Sequence, residues 1–312
     1  MKKLFVIGNG FDCAHNLPTS YEEFKRFLCD TYMNGKCEND SMPIVPAVTI
    51  GPKGEEICNM EEVANFLVYI ISVSEPNGDK WNELETSLGR LNYDEIFDIL
   101  IDEYDEDGDP DYWTEVYNNE DMAANLYAVI PYVKKFFSEW IETIDINSAK
   151  LNRQFNEMIE LEDIFLNFNY TETLEKIYEV ESEKICHIHG KKGEELFFGH
   201  GNDEDYTEEY MIRNIGSENY LTDLDEFLKK DTKQAFQNNQ HFFNCIDKNV
   251  KEIYSMGFSF GDVDLIYIKE ICKRVSDDTV WYLNDFNQSE IDGFQKKLRE
   301  CGFRGEIKTF HI

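Results

Sequence analysis

The stretch Lys2-Lys3-Leu4-Phe5-Val6-Ile7-Gly8-Asn9-Gly10-Phe11-Asp12 sets the terms for the rest of the chain. Four consecutive apolar residues, Leu4 to Ile7, read as a strand buried on both faces of a parallel sheet. The run stops at Gly8-Asn9-Gly10, where two glycines and an asparagine permit the positive-φ geometry of a sharp turn. Thr19 and Ser20 stand three residues before Glu22 and Glu23, two overlapping capping-box spacings, and predict a helix from Tyr21 to Tyr32. A strand, a glycine turn and a helix start together frame a site for a phosphate or another anion, because backbone N–H groups exposed there have no other partner.

The same punctuation returns further along. Ile164 to Phe168 leads into Asn169-Tyr170-Thr171, and Lys184 to Ile188 into His189-Gly190. Glu195 to Gly199 is strand-like, and Ile253 to Met256 empties into Gly257-Phe258-Ser259-Phe260-Gly261-Asp262-Val263-Asp264. Thr279 to Leu283 and Glu306 to Phe310 complete the set. Helical periodicity fills the intervals, so the chain predicts an α/β fold, a doubly wound parallel sheet with a mainly helical insertion after its first βα unit. Residues 1–33 and 151–312 form the α/β nucleotide-binding domain on this reading. Residues 34–150 form the helical acidic insertion, with a helix over 122–144 that Pro131 kinks or restarts. The polar loops fall just after strands, where open α/β sheets carry their ligand chemistry.

Charge narrows the partners. The 312 residues hold 63 acidic and 30 basic side chains, a formal net charge of −33. Such a balance opposes binding to nucleic acid or to an anionic membrane surface. An anionic ligand would need local N–H groups, a helix dipole or a metal against that field. From Leu91 to Val133 there are thirteen Asp or Glu and no Lys or Arg. The tip of that segment, Asp105 to Asp111, resembles a calcium loop but lacks the bidentate Glu at position twelve and reads as a solvated acidic loop. Only four apolar residues follow Met1-Lys2-Lys3, too few for a secretion signal, and no apolar run has the length of a membrane helix. The eight cysteines are dispersed without a Cys-x-x-Cys pair, which predicts reduced thiols in a cytoplasmic protein.

Each candidate side chain has an ordinary reading beside the functional one. Asn169 fits a turn, His189 a buried histidine bonded to backbone, Asp262 an N-cap, Asp12 a brace for the first turn, and His15 a partner for a backbone carbonyl. Their joint placement at strand ends is what favours function.

These residues carry a resemblance. Ile7-Gly8-Asn9-Gly10-Phe11-Asp12 with His15, Leu17-Pro18-Thr19-Ser20-Tyr21 and Phe24 resembles the start of the AbiH family of phage abortive-infection proteins. The likeness continues through Phe168 to Glu175, His187-Ile188-His189-Gly190, Phe198-Gly199-His200-Gly201, Gly257 to Asp264, and Trp81 with Leu84-Glu85. The same ordered motifs are remotely similar to the sirtuin NAD-binding fold, a Rossmann-like sheet. That similarity implies NAD as substrate, cleaved at the nicotinamide N-glycosidic bond by an NAD glycohydrolase, with no metal. It implies His189 and Asn169 as the catalytic pair. Gly8, Asn9, Gly10, Phe11, Asp12, His15, Thr19, Ser20, Gly257, Ser259 and Asp262 would form the binding surround, with the first loop as the pyrophosphate floor. The four zinc cysteines of sirtuins are absent, which turns the expectation from lysine deacylation towards NAD hydrolysis. NAD or a related nucleotide, a phage-derived trigger protein and a second copy of the chain are the expected partners.

Two other readings stay open. Asp12-x-x-His15, His187-x-His189 and His200 offer ligands for a metal-dependent phosphoesterase or nuclease. A nucleotide-binding sensor without turnover would use the same loops, and its acidic insertion would engage a basic phage protein.

Overall fold

The computed structural model describes residues 2–37, 42–54, 56–75, 81, 83–100, 111–202, 208–286 and 288–312. The acidic tip from Asp105 to Pro110 lies outside the described residues. The chain divides into two compact units. Unit 1 comprises Met1–Ser20, Ile141–Phe197 and Asp231–Ile312; unit 2 comprises Tyr21–Trp140 and Phe198–Lys230.

Unit 1 is built on six parallel strands, β1 (Lys3–Ile7), β2 (Ile164–Asn167), β3 (Ile185–His187), β4 (Glu252–Met256), β5 (Val280–Asn284) and β6 (Glu306–Phe310). Their order is β3-β2-β1-β4-β5-β6, so the winding reverses at β1. In β1 the residues Leu4, Phe5, Val6 and Ile7 are all fully buried, as the apolar run requires of a central strand covered on both faces. Alternate side chains feed two separate cores. Leu4, Val6, Leu166, Ile253, Trp281 and Leu283 pack with Tyr267, Ile268 and Ile271 of the helix Leu265–Arg274 and with Leu298 of the helix Ile291–Glu300. Phe5, Ile7, Phe165 and Met256 pack on the other side with Phe155, Leu174 and Tyr178 from the helices Arg153–Met158 and Thr173–Tyr178. Full burial of one such side chain stabilises by about 1.5–3 kcal/mol. The edge strand β6 is largely exposed and carries the ion pair Lys308–Glu306, a protection against edge-to-edge pairing.

One local expectation is corrected and another in part. Glu195 to Gly199 forms no strand: Phe197 N–H bonds to His189 O, and the chain passes into unit 2 at Phe198, whose ring stacks on Phe137 at 3.9 Å. Over 122–144 Pro131 restarts the helix, as one of the two expectations had it, giving Tyr112–Val129 and Tyr132–Thr143. The first begins ten residues earlier than the apolar pattern suggested, because Asp111 caps it through Thr114 N–H.

Unit 2 is helical apart from a two-residue ribbon, Thr49–Ile50 against Glu56–Ile57. Phe24, Trp81, Phe137 and Trp140 form its aromatic centre. Cys29 and Cys37 are joined as a disulfide, which corrects the expectation of eight reduced thiols. The spacing signal failed here because a helix end at Tyr32 and a turn at Gly35 fold the chain back and bring the two Cα atoms to 5.3 Å. Among the described residues no helix is long and apolar enough to cross a membrane.

Candidate functional site

The reversal at β1 opens a crevice beyond the carboxyl ends of β1, β4 and β5. Its floor is made by glycines that let two loops touch. A Cβ on Gly8 would lie 2.5 Å from Gly257 O, one on Gly10 would lie 2.7 Å from Gly257 Cα, and one on Gly257 would lie 2.1 Å from Phe11 N. Gly257 also has φ +61°, a conformation that side chains disfavour. The amides in this contact are engaged. Gly8 N–H donates to Met256 O at 3.0 Å, Gly10 N–H to Gly257 O at 2.9 Å, and Phe11 N–H to Gly8 O at 2.9 Å. The Gly8 and Gly10 N–H groups therefore hold the first loop to the end of β4, and that of Phe11 closes the first loop on itself. Asn9 braces the same turn, its amide donating to Thr19 O at 2.8 Å. Thr19 is buried, and Ser20 is the last residue of the first segment of unit 1.

Asp12 lies fully buried behind this floor. Its Oδ2 accepts from the Thr171 hydroxyl, which also lies 3.0 Å from Thr173 Oγ1. Burial pushes the Asp12 carboxyl up, against the hydrogen bonds from Thr171, Thr173 and Asn169 and the proximity of His15. Asn169 donates through Nδ2 to Gly8 O at 3.2 Å, tying the end of β2 to the first loop. His15 is committed on both ring nitrogens. Its Nδ1 faces Phe11 O at 2.7 Å, so Nδ1 carries the proton and Nε2 accepts from the Tyr178 hydroxyl. Tyr178 Oη in turn accepts from Asn152 N–H at 2.9 Å. The ordinary reading of His15, a partner for a backbone carbonyl, describes this geometry.

The histidines of the third loop part company. His187 Nε2 sits 2.9 Å from Glu175 Oε1. Burial alone would raise the Glu175 carboxyl, but the bond and charge of His187, with Lys191, outweigh it and hold the group below its ordinary value. His189 is buried among Phe168, Tyr170 and Tyr267, with Nε2 3.1 Å from Asp264 Oδ1. Asp264 is the acid that reasoning from sequence passed over. The same motif offers Asp262 two residues earlier, and only the one-turn 3-10 segment Asp262–Asp264 decides which carboxylate faces inward. Asp262 caps no helix; its largely exposed carboxylate pairs with Lys297 Nζ at 2.9 Å.

His200 belongs to unit 2, fully buried, donating from Nε2 to Asp225 O at 3.0 Å and accepting Asn202 N–H on Nδ1 at 3.2 Å. Burial holds its pKa below the ordinary value. Among the described residues no three His, Cys, Asp or Glu side chains are grouped to hold a metal ion. Trp81 and Glu85 also serve unit 2. Trp81 is fully buried with Nε1 donating to Ser72 Oγ at 3.0 Å, and Glu85 pairs at 2.8 Å with the buried Lys230.

The crevice has a volume of about 350 Å³. Gly10, Phe11, His15, Gly257 and Ser259 line it; Asn169, His189, Asp12 and Asp262 do not. Phe258 lines it too, its ring 4.4 Å from that of Phe168, which stands 5.3 Å from His189. Two buried polar atoms of the candidate residues, Asp12 Oδ1 and Asn169 Oδ1, have no hydrogen-bond partner among the described residues, while His189 Nε2 has only the Asp264 carboxylate beside it.

The first unit is thus a parallel α/β unit with a crevice at its point of reversal and a buried Asp–Asn–Thr cluster beside the first loop. The family description Bacteriophage abortive infection AbiH matches residues 4–285 of the chain. That span is most of the sequence, and the protein belongs to the AbiH family, whose role is anti-phage abortive infection. No curated protein and no solved structure matches it.

Proposed function

We propose that the protein acts in abortive infection by hydrolysing the nicotinamide N-glycosidic bond of NAD in unit 1. In that reaction a water oxygen bonds to ribose C1′ as the C–N pair leaves with the ring nitrogen, releasing neutral nicotinamide and ADP-ribose. The water's proton passes to His189, whose imidazolium the neighbouring Asp264 carboxylate stabilises. Asn169 orients the water or a ribose hydroxyl through its amide oxygen. The observation that carries the reading is the pair of unsatisfied buried atoms on Asp12 and Asn169 beside the buried His189–Asp264 contact. More than nine in ten buried polar groups find partners, and an unsatisfied one costs about 1–3 kcal/mol, so two among residues chosen from sequence suit a polar ligand.

A second reading is favoured by the Phe258–Phe168 contact between the crevice and His189. A nucleotide held in the crevice with those rings in place would be sensed and not cleaved. Nucleotide profiling of cells expressing the protein, with and without phage, separates the two. Hydrolysis predicts NAD loss with the wild type, and a fall of about 10²–10⁴-fold in rate for His189→Ala with an unchanged melting profile. A His189→Ala protein that turns NAD over at the wild-type rate overturns the assignment. Binding without NAD loss under phage challenge supports the sensor.

A further inference from the structure

The crevice has an unusual wall for a nucleotide site. The half-buried Phe294 and the rim of the mostly buried Phe258 line it, both packed on the fully buried Phe260 with ring centroids 5.0 Å and 4.8 Å away. Phe11 faces the same space from the first loop, and the largely exposed Phe286 stands at the mouth. No Lys or Arg is among the described lining residues, and the carboxylate among them is Glu290. Both ring nitrogens of His15 are engaged, Nδ1 with Phe11 O and Nε2 with the Tyr178 hydroxyl. The amides of Gly8 and Gly10 are engaged with Met256 and Gly257.

A phosphate brought into this space would meet neither a cation nor an open N–H group at the glycine floor, and a chain of formal charge −33 would oppose it. A flat ring bearing positive charge meets the opposite conditions. Aromatic faces attract a cation through their quadrupole, aromatic cages are a recurrent means of holding quaternary nitrogen, and a carboxylate at the rim adds Coulomb attraction. We infer that the crevice recognises a cationic N-substituted heteroaromatic ring, the chemical class of an N-glycosylated pyridinium, and disfavours phosphate. This deepens the reading above: it puts the ring end of NAD in the crevice and leaves the pyrophosphate outside it. Ser259 and Asn284, which also line the space, offer neutral hydrogen-bonding groups to a ring substituent.

The test uses the full chain and two probes of nearly equal shape, 1-methylnicotinamide, which is cationic, and nicotinamide, which is neutral. Calorimetric titration should give about tenfold tighter binding of the cation. Glu290→Gln should remove most of that preference. Phe294→Leu, which keeps apolar bulk but removes a ring face, should weaken the cation and leave the neutral probe nearly unchanged. Circular dichroism checks that both variants fold. Equal binding of the two probes, binding of neither, or a preference that survives in both variants overturns the inference. NAD turnover by a protein without cation preference defeats this inference alone. Cation preference without turnover, even under phage challenge, leaves it standing and defeats hydrolysis.

Discussion

Replacing Gly257 with alanine tests whether the two site loops touch as closely as described. The residue has φ +61°, and an added Cβ would meet Phe11 N at 2.1 Å and Gly10 C at 2.4 Å, both backbone atoms that cannot rotate away. Three costs combine. Holding alanine in the left-handed region costs about 1–2 kcal/mol. Parting the loops weakens the bond from Gly10 N–H to Gly257 O, about 0.5–1.5 kcal/mol. Displacing the backbone of the first loop then disturbs Phe11 and adds about 1–3 kcal/mol of packing strain. The expected loss is about 3–5 kcal/mol. Two other glycines serve as internal standards. Gly302 has φ +93° with nothing within 4 Å of a Cβ, so its alanine variant should lose the conformational cost alone, about 1–2 kcal/mol. Gly293 sits in the helix Ile291–Glu300 without a positive φ and with open space, so alanine there should stabilise by about 0.5–1 kcal/mol. Urea unfolding followed by hydrogen exchange in peptides of β1 and β4 reports unit 1 separately from unit 2. A Gly257→Ala loss equal to that of Gly302→Ala would refute the close approach of the loops.

The remaining expectations are simpler. Thiol titration of the denatured, unreduced protein should find six free cysteines, and eight after reduction; eight without reduction would remove the Cys29–Cys37 bond. Loss of that short cross-link in Cys37→Ser should destabilise unit 2 by about 2.5 kcal/mol on the chain-entropy estimate, read by urea unfolding. Burial raises the folded-state pKa of Asp12 above its ordinary 3.8, so the folded form holds its proton more tightly than the unfolded chain. Its contribution is then most favourable below about pH 4 and is lost as pH rises from there through the raised pKa. Asp12→Asn should therefore melt above the wild type at neutral pH, with the gap closing on acidification; a gap that widens at low pH would reverse the sign of this argument.

The sheet was legible because its chemistry is local. Leu4 to Ile7 can be buried on both faces only in a central strand, and the same holds for Ile164 to Leu166. Thr19-Ser20 ahead of Tyr21 announced a helix that runs over Tyr21–Tyr32. Orientation was less legible than position. His187 and His189 stand at i and i+2, yet the turn that closes with Gly190 N–H on His187 O directs one to Glu175 and the other to Asp264. Asp262 and Asp264 have the same residue type in the same motif, and a single 3-10 turn separates the exposed ion pair from the buried one. Asn9 looked like a ligand-facing residue of the glycine turn and instead bonds Thr19 O, a partner ten residues away that spacing could not identify.

The glycine floor shows how one sequence signal can serve two opposed purposes. Gly-x-Gly after a strand marks either amides turned to a phosphate or a backbone that another backbone must approach, and both need the missing Cβ. The position of Gly257 decides between them, because Gly8, Gly10 and Gly257 lose their clearance to one another and not to an open space. Cohesion between the ends of β1 and β4 then comes from amides that a phosphate site would direct at its ligand. In a chain of net charge −33 this is the consistent outcome. With the floor amides engaged, the side chains that line the crevice are chiefly aromatic and neutral, with Glu290 among them.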